Sequence, residues 1–406
     1  MTARRLFVWL HRYVGLVMAG FLIMVGLTGS LLAFNVELER IFAPQLFAKP
    51  HPGEPRFDLA TLAERAEALL PQAQVFAINM NEPDQAYVVF MPRDDPRTGQ
   101  PYDLGFTEVF LDPWTGEELG ARNRADLSEG VVNLMPFVYL LHYQLVLGEL
   151  GMWIVGFVAI GWTIDCFVGF YLTLPHTTND FFRRWKPAWT IKRGAGLLRL
   201  NFDIHRSFGL WLWPSLFVFA WSSVMFNMRE TYQWPMRRIF DYGETTQSRS
   251  PPGQRNLDWR AGLARGLALM REQAELQGFT FGDGHNLSYD PFDNVYEYEA
   301  RGSRDVFERS PKGGGTVVRF SGETGALIEL STPTGQHLGN SVDAWLGALH
   351  MARVFGRPYQ IFVSALGLVV AALSVTGVYI WWKKRAARIF RAARSGLRAT
   401  ARALQT

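Results

Sequence analysis

Four stretches of the chain stay apolar long enough to cross a hydrocarbon core, which takes roughly 20 residues at about 1.5 Å rise each. They are 14–34, 152–174, 210–228 and 361–382, and helix is expected over each. Polar, turn-rich sequence fills the interval between the first two stretches and again between the last two. There the periodicity changes. Residues 57–70 have helical spacing, 85–91 and 108–111 read as strands, and Asp112-Pro113-Trp114-Thr115-Gly116 reads as the turn after a strand. The second interval predicts a helix over 259–276, strands over 295–300 and 316–320, and a turn over 321–325.

Histidines at the edges of the apolar stretches recur in a pattern. His11-Arg12-x-x-Gly15-Leu16 returns as His205-Arg206-x-x-Gly209-Leu210, and Leu141-His142 with Gly148 returns as Leu349-His350 with Gly356. From His142 to Gly169 is 27 residues, as it is from His350 to Gly377, and Gly169-Phe170-Tyr171-Leu172 is answered by Gly377-Val378-Tyr379-Ile380. A unit of span, polar domain and span therefore occurs twice. With an even number of spans in each, the copies run in the same direction, related by a pseudo-twofold axis along the membrane normal. The expected division is 1–35 span, 36–135 domain, 136–175 helix and span, 176–198 loop, 199–228 span, 229–344 domain, 345–383 helix and span, and 384–406 tail.

Charge adds an orientation. Arg4, Arg5, Arg183, Arg184, Lys186, Lys192, Lys383, Lys384, Arg385 and Arg388 flank one side of the spans, which places both termini in the cytoplasm and both polar intervals in the periplasm of a bacterial cell. The formal charge of +4 comes largely from this rim, so it argues for anionic lipid and against nucleic acid. The basic, then apolar N-terminus also imitates a signal peptide with Ser30-Leu31-Leu32-Ala33 as cleavage site, but the recurrence of its histidine element at 205 assigns it to the mature repeat. One cysteine, Cys166, excludes internal disulfides, a Cys-x-x-Cys-His haem attachment and a cysteine-ligated iron–sulfur cluster. The glycine-rich stretch 312–316 lacks the Walker spacing, and there is no dinucleotide fingerprint.

An ionisable ring in or beside an apolar span is costly unless something uses it. A pseudo-twofold axis sets equivalent residues opposite one another, so His11 is expected to face His205 near the cytoplasmic side and His142 to face His350 on the periplasmic side. His142 and His350 lie about 13 residues beyond the outer boundary of their spans, so bends are expected at Gly148 and Gly151 and at Gly356-Arg357-Pro358. Two imidazoles on opposite faces of an iron porphyrin make a closed electron-transfer site, which implies two non-covalent haem b groups with these four histidines as axial ligands. Gly15 and Gly209, one helical turn on, leave room for a flat macrocycle; Arg12, Arg206, Arg353 and Arg357 suit haem propionates, or else lipid headgroups. His51, His176, His285 and His337 have no repeat partner; His176 is the one near the inner site. Asp165 is expected to be paired within the bundle, with a proton or quinone role as its alternative.

Taken together, the His-Arg-x-x-Gly-Leu start, the strand and turn around Thr115-Gly116, the Leu-His element before each returning span and the Thr376-Gly377-Val378-Tyr379 ending resemble the PepSY-associated transmembrane family, from His11 to about Lys384. That family comprises iron-regulated membrane proteins and includes inner-membrane ferrisiderophore reductases. Two departures are visible: Ser321-Gly322-Glu323-Thr324-Gly325 lacks the Asp-Pro of the first turn, and Val168 stands where the other copy has Thr376. The resemblance implies a four-span helical bundle with two periplasmic α+β PepSY-like domains. It also implies an oxidoreductase passing electrons from a quinol or a cytoplasmic reductase to a periplasmic ferric siderophore. Two rival classes are a permease for a metal or siderophore and a non-enzymatic regulator of a periplasmic peptidase.

Overall fold

A computed structural model describes residues 3–192, 194, 196–243, 255–308 and 314–403, with side chains as far as 390; residues 312 and 313 of the glycine-rich stretch lie outside the described residues. The first half runs α1 (Ala3–Leu32), α2 (Asn35–Phe42), α3 (Leu59–Leu69), β1 (Ala73–Glu82), β2 (Gln85–Pro92), β3 (Glu108–Leu111), β4 (Glu118–Arg122), α4 (Leu134–Gln144), α5 (Glu149–Thr173) and α6 (Phe181–Trp185). The second half runs α7 (Leu197–Trp211), α8 (Trp213–Asn227), α9 (Arg229–Ile239), α10 (Trp259–Gln277), β5 (Phe281–Asp290), β6 (Val295–Gly302), β7 (Thr316–Ser321), β8 (Leu327–Ser331), α11 (Leu338–His350) and α12 (Gly356–Ala403). Two compact units result, a helical one of Met1–Ala33, Leu141–Gln233 and Ile361–Thr406, and a sheet-bearing one of Phe34–Leu140 and Trp234–Gln360.

In the helical unit, α1, α5 and the Gly356–Phe390 part of α12 are long and apolar enough to cross a membrane. The third expected span, 210–228, is different. Helices α7 and α8 meet at a 70° bend and make a fourth crossing only if the pair counts as one span. By itself α8 has 15 residues, about 22 Å of helix against a core of about 30 Å. Pro214, in the first turn of α8, explains the break: it has no N–H to continue α7, and its ring collides with the carbonyl four residues back.

Helices α1 and α12 approach to backbone contact. A Cβ on Gly26 would sit 2.6 Å from the Gly367 carbonyl oxygen, and one on Gly367 would collide with the Gly26 carbonyl oxygen and with Ser30. The Ser30 hydroxyl lies 2.8 Å from both the Gly26 and the Ser364 carbonyl oxygens, within the small-residue seam usual where apolar helices meet in lipid. Met18, Leu22, Cys166, Leu216, Ala220, Leu366 and Val370 form the buried interior of the unit. Val17, Phe157, Ile164 and Leu368 are more than half exposed, an outward apolar surface that suits lipid.

In the sheet-bearing unit, the eight strands among the described residues join one antiparallel sheet in the order β4-β3-β2-β1-β5-β6-β7-β8. The two polar intervals, expected as separate domains, are thus fused along a seam where β1 pairs β5, with Ile78 opposite Leu287 and Asn79 opposite Asn286. Each half carries the same pieces. Helices α3 and α10 pack their apolar faces on the sheet, burying Leu62, Ile78, Trp259, Leu287, Tyr296 and Phe320. Both start at an aspartate N-cap: Asp58 accepts from the Thr61 N–H and Asp258 from the Ala261 N–H, each at 2.7 Å. The turns also match. Asp112 Oδ1 accepts from the amides of Trp114 and Thr115 at 2.8 and 3.2 Å, and Ser321 Oγ accepts from those of Glu323 and Thr324 at 3.2 and 3.3 Å. The missing Asp-Pro is therefore replaced by a hydroxyl performing the same turn chemistry. Gly116 and Gly325, both at φ +69°, close these turns in the left-handed region that favours glycine.

The expected breaks after the second histidine of each copy are present. Helix α4 ends at Gln144, and Leu145, Val146 and Gly148 take φ of 56°, 56° and 60° before α5; after α11, Ala352, Phe355 and Gly356 take 53°, 60° and 60° before α12.

Two sets of substitutions test this packing. Asp58→Ala and Asp258→Ala should each cost about 1 kcal/mol in denaturant unfolding of the sheet-bearing unit. Gly26→Leu should cost about 1–3 kcal/mol in thermal unfolding in detergent, whereas Gly20→Leu, whose added carbon meets nothing within 4 Å, should leave the melting temperature unchanged.

Candidate histidine site

His11 on α1 and His205 on α7 come together in the helical unit, with ring centres 6.0 Å apart and ring planes at 64°. Each ring is anchored through Nδ1 to a different neighbouring helix. Nδ1 of His11 lies 2.9 and 3.0 Å from the two carboxylate oxygens of Asp165 on α5. Nδ1 of His205 lies 3.0 Å from the Leu373 carbonyl oxygen and 3.1 Å from Thr376 Oγ1 on α12. A carbonyl oxygen only accepts, and the Thr376 hydroxyl already donates to that carbonyl at 2.9 Å, so Nδ1 of His205 is the donor. An ionised carboxylate also only accepts, so Nδ1 of His11 donates as well. In the neutral rings the lone pair is then on Nε2, the tautomer that a metal-ligating histidine needs.

Glycines make the space. A Cβ on Gly169 of α5 would stand 3.6 Å from Cε1 of His11, and one on Gly377 of α12 would stand 3.3 Å from Cε1 of His205. Each glycine lies four residues after the ring's acceptor on the same helix, Asp165 to Gly169 and Leu373 to Gly377, hence on the same face. At Gly15 and Gly209, one turn beyond the two histidines, an added Cβ would meet nothing within 4 Å. That open space is what a planar group lying against the two helices would fill.

His142 repeats the theme. Its Nδ1 lies 2.9 Å from Thr28 Oγ1 on α1, and the Thr28 hydroxyl donates to the Met24 carbonyl at 2.8 Å, so the ring again donates through Nδ1. Gly29 gives it room, since a Cβ there would come 3.1 Å from Cε1. Its counterpart His350 ends α11 in the sheet-bearing unit.

The arginines separate into distinct roles. Arg206 donates to Asp203 Oδ1 at 3.0 Å and to the Pro187 carbonyl, and Arg199 donates to Asp203 Oδ2 at 2.9 Å. With the Asp203 side chain 1% exposed, Arg206 neutralises a buried carboxylate, a local structural task. Arg12 follows His11 on α1 and is half-buried. Arg353 takes part in the break after α11, where its carbonyl accepts from the Glu308 amide. The Arg357 side chain, 75% exposed, comes 3.9 Å from Glu37. The unrepeated histidines sit elsewhere: His51 stacks on Trp114, His337 bonds Asp241, His285 is buried beside Glu299, and His176 is exposed beyond α5. Among the described residues, no three His, Cys, Asp or Glu side chains cluster as a metal site.

Asp165, Leu373, Thr376 and Thr28 are the supporting residues that spacing alone did not pick out in this role. For Asp165 and Leu373 the signal was the offset of 208 residues that relates His142 to His350 and Gly169 to Gly377, since it also relates these two positions.

No curated protein matches the sequence. Residues 8–384, most of the chain, match the family described as the PepSY-associated TM region. Three or four apolar helices among the described residues, the antiparallel sheet and the family match make this a membrane protein with an α+β part, and the chain belongs to the PepSY-associated TM family.

Proposed function

We propose that the helical unit holds a haem b non-covalently between His11 and His205, and that the protein is a haem-dependent membrane oxidoreductase. The observation that carries this reading is the paired rings at 6.0 Å with both Nδ1 atoms already engaged. His11 and His205 would hold an iron between them, and two imidazoles sharing one metal ion would have ring centres roughly 6 Å apart. The open faces at Gly15 and Gly209 fit a macrocycle. Bound there, iron porphyrin supplies reversible one-electron transfer.

The chain's own residues do the rest. Asp165, Leu373 and Thr376 hold the two rings in one tautomer and orientation, Gly169 and Gly377 let them lie against α5 and α12, and the apolar interior around Met18, Leu22 and Leu216 keeps water away. The duplication of the span-domain-span unit, read from the sequence, supports a second haem of the same kind. With the orientation given by the basic residues, electrons pass from a quinol or a cytoplasmic reductase to a periplasmic acceptor. The family resemblance supports a ferric siderophore as that acceptor, with its iron released on reduction.

The test is the visible spectrum of the protein purified in detergent from haem-replete cells. A b-type reduced-minus-oxidised signal at about two haems per chain is expected. His11→Ala and His205→Ala should each remove the same one. A folded, colourless wild-type protein overturns the proposal.

A further inference from the structure

We infer that Asp165 is a positioning residue which, acting through His11, lowers the reduction potential of the iron held between His11 and His205 and so makes the two ligands electronically unequal. The inference rests on the haem reading above. Its basis is a difference between two positions that the repeat makes equivalent.

Residues 165 and 373 are 208 apart, the offset that also relates His142 to His350 and Gly169 to Gly377. Each position serves the histidine of the adjoining helix, but by different chemistry. At 373 the side chain is leucine, and the backbone carbonyl accepts the ring N–H at 3.0 Å, helped by the neutral Thr376 hydroxyl at 3.1 Å. At 165 a carboxylate puts both oxygens within 3.0 Å of the His11 nitrogen. The neutral arrangement of α12 shows that a ring can be anchored here with no charge at all, so anchoring alone does not account for Asp165.

An ionised side chain in an apolar span is expensive. The Asp165 side chain is 14% exposed, and among the described residues no Lys or Arg pairs with it; its partner is His11. A carboxylate accepting from a metal-bound imidazole raises the basicity of that ligand. It also favours the oxidised iron, which bears one positive charge more than the reduced form, in a setting where charges are weakly screened. Both effects act in the same direction, toward a lower potential. The ligand effect has no counterpart at His205, whose hydrogen-bond acceptors are neutral.

The experiment compares Asp165→Asn, Asp165→Glu and Thr376→Val by spectroelectrochemical titration and low-temperature electron paramagnetic resonance of the purified, haem-loaded protein, with haem per chain measured for each. Asparagine keeps a side-chain acceptor and removes the charge. The potential of one haem should rise so that its ferric-to-ferrous ratio at a fixed potential falls about tenfold, ~59 mV for a one-electron couple. The low-spin signal of that haem should shift, with the other haem unchanged. Asp165→Glu should keep the low potential, and Thr376→Val, which leaves the Leu373 carbonyl in place, should change it little. If Asp165→Asn does not load haem, the Glu variant decides: loading with the low potential supports the inference, and loading with a raised one refutes it. Full loading with an unchanged potential in Asp165→Asn overturns the inference while leaving the haem reading intact, as does an equal rise in Thr376→Val. A colourless wild type overturns both.

Discussion

An imidazole N–H placed among apolar helices must find an acceptor there, and the helical unit is arranged around meeting that demand three times. His11, His205 and His142 each donate through Nδ1 across a helix boundary, to Asp165, to the Leu373 carbonyl with Thr376, and to Thr28. Left without a partner, a buried donor costs about 1–3 kcal/mol. These bonds tie α1 to α5 and α7 to α12, and they fix which ring nitrogen remains for other chemistry. The glycines follow from the same constraint. A ring that reaches a neighbouring helix needs that helix to lack a side chain at the point of contact, and Gly169, Gly377 and Gly29 provide this.

Much of the helical unit was legible in the sequence because its signals are long. Apolar runs of about 20 residues announce spans, and a pattern recurring at fixed offsets announces equivalent positions. The pairing of His11 with His205 followed from that recurrence alone. The bend at Leu212 did not, because a continuous apolar run hides a break whose cause is the one residue Pro214. The service of Leu373 was hidden for another reason: it acts through its carbonyl, which every residue type carries, so nothing in the letter L marks it. The pairing of Arg206 was hidden because its buried partner, Asp203, lies one turn earlier on the same helix.

In the sheet-bearing unit, strands with one apolar face were easy to place and those at the centre were not. Strands β2, β3, β6 and β7 alternate or carry compact β-branched and aromatic runs. Strands β1 and β5 meet at the seam, and Asn79, Asn286, Ser288 and His285 are all buried there. A polar strand with glycines, as in Phe281-Gly282-Asp283-Gly284, reads as loop until its pairing partner is known. The seam also explains why the halves were mistaken for separate domains: pairing between β1 and β5 is a long-range relationship that no local pattern announces.

That seam has a consequence for how the chain is made. Strand β1 is complete at residue 82, but its outer partner begins at residue 281, with α4 through α10 synthesised between them. Until then a nascent polypeptide carries an unzipped edge, Ala77 to Asn79, open to any other extended segment. Closure waits on a loop of roughly 200 residues, the kind of non-local pairing that slows folding. The clasp between the two half-sheets therefore comes late in synthesis, and a chain ending before Phe281 would keep that edge unpaired.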